Sequence, residues 1–418
     1  MSAKDFEVKS VERIPLHVPF HPRCADVMEI RVPFWSLIDL YRVTTASGIV
    51  GYGELLTRDT WFRAADPTID KIIGKNLFDI LWDDSLGSGI QIALFDAAGK
   101  ALGVPCHRLF GSHHRDECPV SWWAQEASPA TWASEAKAAE EQGYTSMKAK
   151  ARPWFDVDEQ LTAIDGVTSP RFKVDLDFNQ LLLGVDQAAK IIAALEAKHH
   201  RLAIVESPIP QNDVSGNTLL RQKISTPIAM HYGSPPIMTA IREGVCDGFV
   251  IGGGAEKVLK DGRLAAQANM PFWLQLVGTG LTTLFSVHLG AVLSHARWPA
   301  IPCINIWTHP LIKGFKVESG HIKVPEGPGL GVELAWDVIE NYTVDLDFKL
   351  PRRRQIHTIL WPDGKRTPYP DAGYRQEFLA GKRVGFLPGI SLEHRLDDGT
   401  ENFDRAYRAL FSEPYSAT

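Results

Sequence analysis

The chain has 418 residues, of which 44% are hydrophobic and 22% charged, and it carries a formal net charge of −6. This balance supports a large buried core spread over two or three domains. With no basic face and no long apolar run, it excludes a nucleic-acid partner and a membrane span.

The first residues, MSAKDFEVKSVERIPL, lack the apolar core of a signal peptide. Five cysteines (Cys24, Cys106, Cys118, Cys246, Cys303) are scattered and show no CxxC spacing. They read as reduced thiols, so a cytoplasmic protein is expected. Residues 1–116 form an α+β block. Strand-like alternation runs from Val8 to Val18. Ile38 to Thr45 and Gly51-Tyr52-Gly53-Glu54 read as a strand pair joined by Ala46-Ser47-Gly48. Residues 20–36 read as a turn-rich, aromatic loop. In Ile90 to Leu102 the apolar residues Ile90, Leu94, Ala97 and Ala101 recur at helical spacing, and Gly103 and Pro105 supply the stop.

Residues 117–335 read differently. Short apolar runs occur at Pro119–Trp123, Ser146–Lys150, Phe172–Asp177, Ala203–Glu206, Pro227–Met230, Gly248–Ile251, Phe272–Gln275 and Pro302–Asn305. Amphipathic segments lie between them, one opening at Ser128-Pro129 with an N-cap and a proline at the first helical position. The run ends Lys150, Asp177, Glu206 and His231 are 27, 29 and 25 residues apart. Eight strands with helices in the seven gaps predict a parallel βα barrel. The alternative, an open doubly wound sheet, lacks a glycine-rich dinucleotide fingerprint after any strand. The barrel segment is expected to end near Pro325–Gly331. Residues 336–418 form a C-terminal extension with turn signals at Asp363-Gly364 and Asp398-Gly399. Its Arg352-Arg353-Arg354 run reads as solvated surface. Its apolar residues, such as Ile359, Trp361 and Phe386, are expected to pack on the N-terminal block.

In a βα barrel the strand ends build the active face. The second strand ends Lys148-Ala149-Lys150, and alternate strand residues point the same way, so both ammonium groups face one cavity. Two close positive charges depress each other's pKa, and burial lowers it further, which would make Lys150 a base. Alone, a Lys-x-Lys pair is most often surface. The third strand ends Asp177-Phe178-Asn179 and the fourth Glu206-Ser207-Pro208. Carboxylates at two successive strand ends offer hard oxygen donors suited to Mg²⁺, although helix-capping acids are also common there.

Taken in strand order, this set resembles the enolase superfamily, near its muconate-lactonizing and mandelate-racemase branches. Those proteins carry a lysine pair on the second barrel strand, then Asp-x-Asn, Glu-x-Pro and a third acid on the next three. Gly51-Tyr52-Gly53-Glu54, Ala93-Leu94-Phe95-Asp96 with Gly99-Lys100, Gly103-Val104-Pro105 and Leu109-Phe110-Gly111 are similar to the family's capping domain. Gly252-Gly253-Gly254 matches its glycine pair after the sixth strand, so the likeness covers roughly residues 5–340. It implies a modified TIM barrel, (β/α)7β, with an N-terminal α+β capping domain and a C-terminal extension. It implies that Asp177 and Glu206 ligate Mg²⁺ or Mn²⁺, that Lys150 abstracts the proton α to a carboxylate, and that Lys148 contacts that carboxylate. It also implies a small-molecule carboxylate substrate and a homo-oligomer, with specificity set by loops 20–36 and 55–65.

The sequence departs from the family on the far strands. His231 and Tyr232 stand where the fifth strand should end in an acid. Three readings stay open: His231 as a third ligand for a softer metal, His231 or Tyr232 as an acid beside a weak metal site, or no metal. The sixth strand carries no Lys or Asp before its glycines, and Lys257 beyond them reads as surface. Gln275 and Asn305 replace an expected His and Glu. With Trp122, Asn179 and His309 they are expected to line the pocket. Only one face shows a base, so a one-base dehydration of an acid sugar or other hydroxy acid is favoured over a racemase, epimerase or cycloisomerase. A degenerate barrel that only binds a carboxylate or a protein is the remaining alternative.

Overall fold

The computed structural model describes residues 2–57 and 69–412. Part of the expected specificity loop, residues 58–65, therefore lies outside the described residues. The N-terminal block is an antiparallel sheet of β1 (Val8–His17), β2 (Leu37–Thr45) and β3 (Val50–Leu56). Helix α1 (Gly87–Leu102) lies across it. The closeness explains Gly51 and Gly53, because a methyl at either would run into the carbonyl oxygens of Ala93 and Gly89.

The barrel sheet holds seven parallel strands in chain order: β4 (Trp122–Ala124), β5 (Ser146–Lys150), β6 (Lys173–Asp177), β7 (Leu202–Glu206), β8 (Ile228–His231), β9 (Gly248–Ile251) and β10 (Phe272–Leu274). Helices alternate with them, as the run-and-gap rhythm predicts. The eighth strand expected at Pro302–Asn305 does not form. Pro299 and Pro302 have no N–H to give to a ladder, Cys303 turns left-handed with φ 59°, and Ile304–Ile306 is a 3-10 turn. Closure is left to Ala300 and Ile301, whose amides donate to Pro119 O at 2.9 Å and Leu274 O at 2.8 Å. The first barrel strand also starts later than expected. Glu117–Pro119 instead pairs antiparallel with His321–Lys323.

The segment 20–36 is not a loop. It contains the helix Ala25–Arg31 and the 3-10 turn Pro33–Ser36, with Val27, Met28 and Ile30 buried. The extension folds as a second antiparallel sheet of β11 (Gln355–Leu360), β12 (Arg366–Pro370) and β13 (Ser391–Leu396), followed by the helix Glu401–Ser412. Its Ile359, Tyr369, Tyr374 and Phe378 share a core with Trp154, Phe155 and Leu181 of the barrel loops. Gln355 and Arg353 reach Ile30 and Glu29 of the helix Ala25–Arg31. Arg354 is not a bare surface charge, since it pairs with Asp397 and Asp404. All five cysteines are buried and unbridged. Among the described residues no helix is long and apolar enough to cross a membrane.

Candidate active site

The sheet register places Lys150 beside Asp177 and Asp177 beside Glu206. Strand alternation turns Lys148 to the same side as Lys150. The four charges meet. The Lys150 ammonium lies 2.5 Å from Asp177 Oδ2 and donates to Asn179 Oδ1 at 3.2 Å. The Lys148 ammonium contacts Glu206 Oε2, sits 3.6 Å from Asp177 Oδ2, and donates to Gln275 Oε1 at 2.9 Å. The Trp273 ring lies under it at 5.3 Å.

The two lysines differ in what holds them. Lys148 is fully buried, whereas the Lys150 side chain keeps 16% exposure. Burial pulls Lys148 down, but Glu206 and Asp177 outweigh it and leave its pKa above the ordinary lysine value. For Lys150 burial wins: Asp177 offsets it only in part, Lys148 adds to the fall, and the pKa ends below the ordinary value. Asp177 is buried, which alone would raise it, yet Lys150, Lys148 and Arg152 hold it well below the usual carboxylate range. Lys150 is thus the amine that can give up its proton at the mouth.

A second ring of charge braces the first. Arg152 donates to Asp177 O at 3.0 Å, to Asn179 Oδ1 at 2.6 Å and to Glu126 Oε2 at 2.8 Å. Glu126 also pairs with Arg31 at 2.6 Å. Arg31 in turn lies over the Tyr374 ring of the extension at 5.5 Å. Asp175, in register with Lys148, is pushed up to about 7 by burial. Arg152, Glu126 and Asp175 escaped the sequence reading. Only Asp175 was within its reach, as the residue two before Asp177 on the same strand face.

The other expected site residues divide. His231 is exposed at the end of β8, with Nε2 3.1 Å from Glu206 Oε1. Gln275 joins the cluster through Lys148. Tyr232 does not: its ring packs on Phe249 and lies under Lys257, on the helix side of the sheet. Lys257 itself is tied to Asp261 on its own helix. Trp122, expected to line the pocket, does not. Trp122 points outward and donates to Glu135 at 2.7 Å, while Trp123, in register with Lys148, faces Trp35 at 5.6 Å. Asn305 spends its amide on the Trp123 backbone, at 3.1 and 2.8 Å, and so ties the open edge of the barrel. His309 is exposed and pairs with Tyr342 at 3.2 Å, with no contact to the charged cluster.

A parallel barrel with an α+β sheet against it and charged side chains at successive strand ends defines the class: a modified TIM barrel with a capping domain. Residues 131–338 match the family model described as enolase C-terminal domain-like. The chain belongs to the enolase superfamily and resembles its mandelate-racemase and muconate-lactonizing members. It is 26% identical to the D-xylonate dehydratase of Haloferax volcanii, over 74% of this chain and 86% of that one. It is 25% identical to muconate cycloisomerase 1-2 of Acinetobacter lwoffii, over 82% and 97%. The crystal structure of a dipeptide epimerase from Cytophaga hutchinsonii, complexed with Mg and a dipeptide, superposes with a TM-score of 0.64. The two are 20% identical, over 80% of this chain and 98% of that one.

Enolase-superfamily members typically bind Mg²⁺. Here Asp177 and Glu206 offer oxygen donors, but His231 stands third and its Nε2 is turned to Glu206. Among the described residues no three His, Cys, Asp or Glu side chains converge on a metal position. The Lys148 ammonium lies between the two carboxylates. A divalent ion there would face two ammonium groups with no acid at the fifth strand end, and like unit charges about 4 Å apart repel by about 4 kcal/mol at an effective dielectric of about 20. The residues present do not fit a resident Mg²⁺.

Proposed function

We propose that this chain removes a proton from the carbon next to a carboxylate and expels a β-hydroxyl, dehydrating an acid sugar or other hydroxy acid. The observation that carries this reading is the pairing of Lys150 with Asp177 at the mouth. Lys150 is the amine that burial favours as neutral and that retains access to solvent. In its neutral form it takes the α-proton on Nζ. The electron pair of that C–H bond forms the C=C bond, and the β-hydroxyl leaves as water with a proton from His231. Where the substrate carries a 2-hydroxyl, as an acid sugar does, the product is an enol, and its protonation at carbon gives a 2-keto acid. Lys148 keeps its proton and supplies positive charge beneath the carboxylate as negative charge develops there.

That the far strand ends place no second base opposite Lys150 among the described residues supports dehydration over racemisation or epimerisation. The far strand ends offer Ile251 and Gln275, neither of which takes a proton. A second reading, a barrel that binds a small carboxylate without turnover, is favoured by the neutralisation of every charge in the cluster. Assay of a hydroxy-acid library for 2-keto acid formation separates the two. Turnover lost in Lys150→Ala supports the dehydratase. A ligand that binds and raises the melting temperature but is never converted supports the binder.

A further inference from the structure

Lys148 is held more tightly than a substrate-binding lysine needs to be. Its stem is enclosed, its exposure is zero, and its ammonium is gripped from three strands: by Asp177 on β6, Glu206 on β7 and Gln275 just beyond β10. Trp273, also on β10, closes the remaining side. An ammonium so enclosed cannot swing aside without opening the barrel core. The Asp177 oxygens are occupied as well, Oδ2 by Lys150 and Oδ1 by the Asn179 backbone amide at 2.9 Å, while Glu206 Oε1 lies 3.1 Å from His231 Nε2 without a hydrogen bond. The two lysines balance the two acids in charge, with Lys148 shared between both acids. The fifth strand end, where the family carries its third acid, adds an imidazole in place of a negative charge.

We infer that Lys148 holds the place of the divalent cation, and that the site works with a built-in ammonium and no metal. The inference rests on the proposed proton abstraction only for what the ammonium does. That the carboxylate pair is closed to cations rests on the contacts alone. One fixed positive charge stabilises a developing dianion less than a divalent ion does.

Titration of Mn²⁺ into chelator-treated wild-type protein, followed by the free-ion paramagnetic resonance signal and by thermal melting, tests the inference without substrate. The wild type is expected to leave the Mn²⁺ signal undiminished, and its melting temperature is expected to move by less than about 1 °C at millimolar Mn²⁺. Lys148→Ala uncovers both carboxylates. It is expected to take up one equivalent of Mn²⁺ and gain at least about 3 °C at the same concentration, and the gain should vanish when Asp177→Asn is added. Uptake of one equivalent by the wild type, with a matching rise in melting temperature, overturns the inference. So does a folded Lys148→Ala that stays blind to Mn²⁺. If the alanine variant does not fold, Lys148→Met keeps the stem, removes the charge and is read the same way. Failure to find a turned-over substrate would sink the proposed function and leave this result standing.

Discussion

The barrel mouth has two halves built on one sheet, and they carry opposite chemistry. On β5 to β7 the strand ends are Lys148, Lys150, Asp177 and Glu206, joined in one chain of ion pairs. From β8 to β10 they are His231, Ile251 and Gln275, and only the first is ionisable. The backbone does not register the difference, since β8, β9 and β10 pair in parallel as the charged strands do. Barrel strands are held by their ladders and by the alternate side chains that face the helices, so the mouth positions are free to vary. The charged half is self-neutralised, and the neutral half leaves it that way.

The largest expected effect breaks the charged half at its accessible end. Lys150→Ala should lower kcat/KM by about 10²- to 10⁴-fold, the usual worth of a positioned general base. Circular dichroism and the urea midpoint should change little, because Lys150 is partly exposed. A variant that keeps more than a tenth of wild-type turnover would move the chemistry to another residue.

The same comparison predicts unequal stability costs. Glu206→Gln takes from a buried ammonium its closest partner, and breaking a buried pair costs about 3–5 kcal/mol. Gln275→Ala, on the neutral half, removes one hydrogen bond to that ammonium and should cost about 1.5–3 kcal/mol. Urea unfolding of both variants checks the ranking. Equal costs would mean that Lys148 is held by the barrel wall and not by its carboxylates.

How much of this was legible in the sequence follows the same division. Lys150, Asp177 and Glu206 were found because a period of strand and helix fixes where strands end, and alternation fixes which side chains face inward. Alternation did not say which of Trp122 and Trp123 faces inward. That depends on β4 pairing Trp123 with Lys148, a register visible only in the folded sheet. The missing eighth strand is not legible from hydrophobicity, because Pro302–Asn305 is apolar enough to pass for a strand while Pro299 and Pro302 forbid its ladder. The short helix Ala25–Arg31 has no side-chain cap. Tertiary contact holds it, through Arg31 on Glu126, and no local pattern announces a pair 95 residues apart.

Acid should reach the scaffold histidines before it reaches Asp177. His288, buried against Leu330 O, is lowered to about 4 by burial, and His357 to about 3. The unfolded chain binds protons on these histidines from about pH 6.5 downward, while the folded chain refuses them until near pH 4. Stability is therefore fully present above pH 6.5 and falls as pH drops through that window, by about 3 kcal/mol for His288 alone. Asp177, held well below the ordinary carboxylate range, keeps its charge throughout. Urea midpoints between pH 7 and pH 4 should fall for the wild type and fall less for His288→Gln.

The smallest effect sharpens the boundary between the halves at adjacent residues. His231 and Tyr232 both stood as acid candidates, and alternation sends them to opposite faces of the sheet. His231 reaches Glu206, whereas the Tyr232 ring lies between Phe249 and Lys257. Burial, with Asp261 adding to it, pushes the Tyr232 hydroxyl up to about 12, so it is a poor proton donor at neutral pH. Tyr232→Phe should leave kcat/KM within about twofold, as substitutions away from a site do. His231→Gln should lower kcat with little change in KM, since it removes the proton owed to the leaving hydroxyl and leaves the carboxylate-binding amines in place. A loss of activity in Tyr232→Phe as large as in His231→Gln would mean that β8 ends in a different register when substrate is bound.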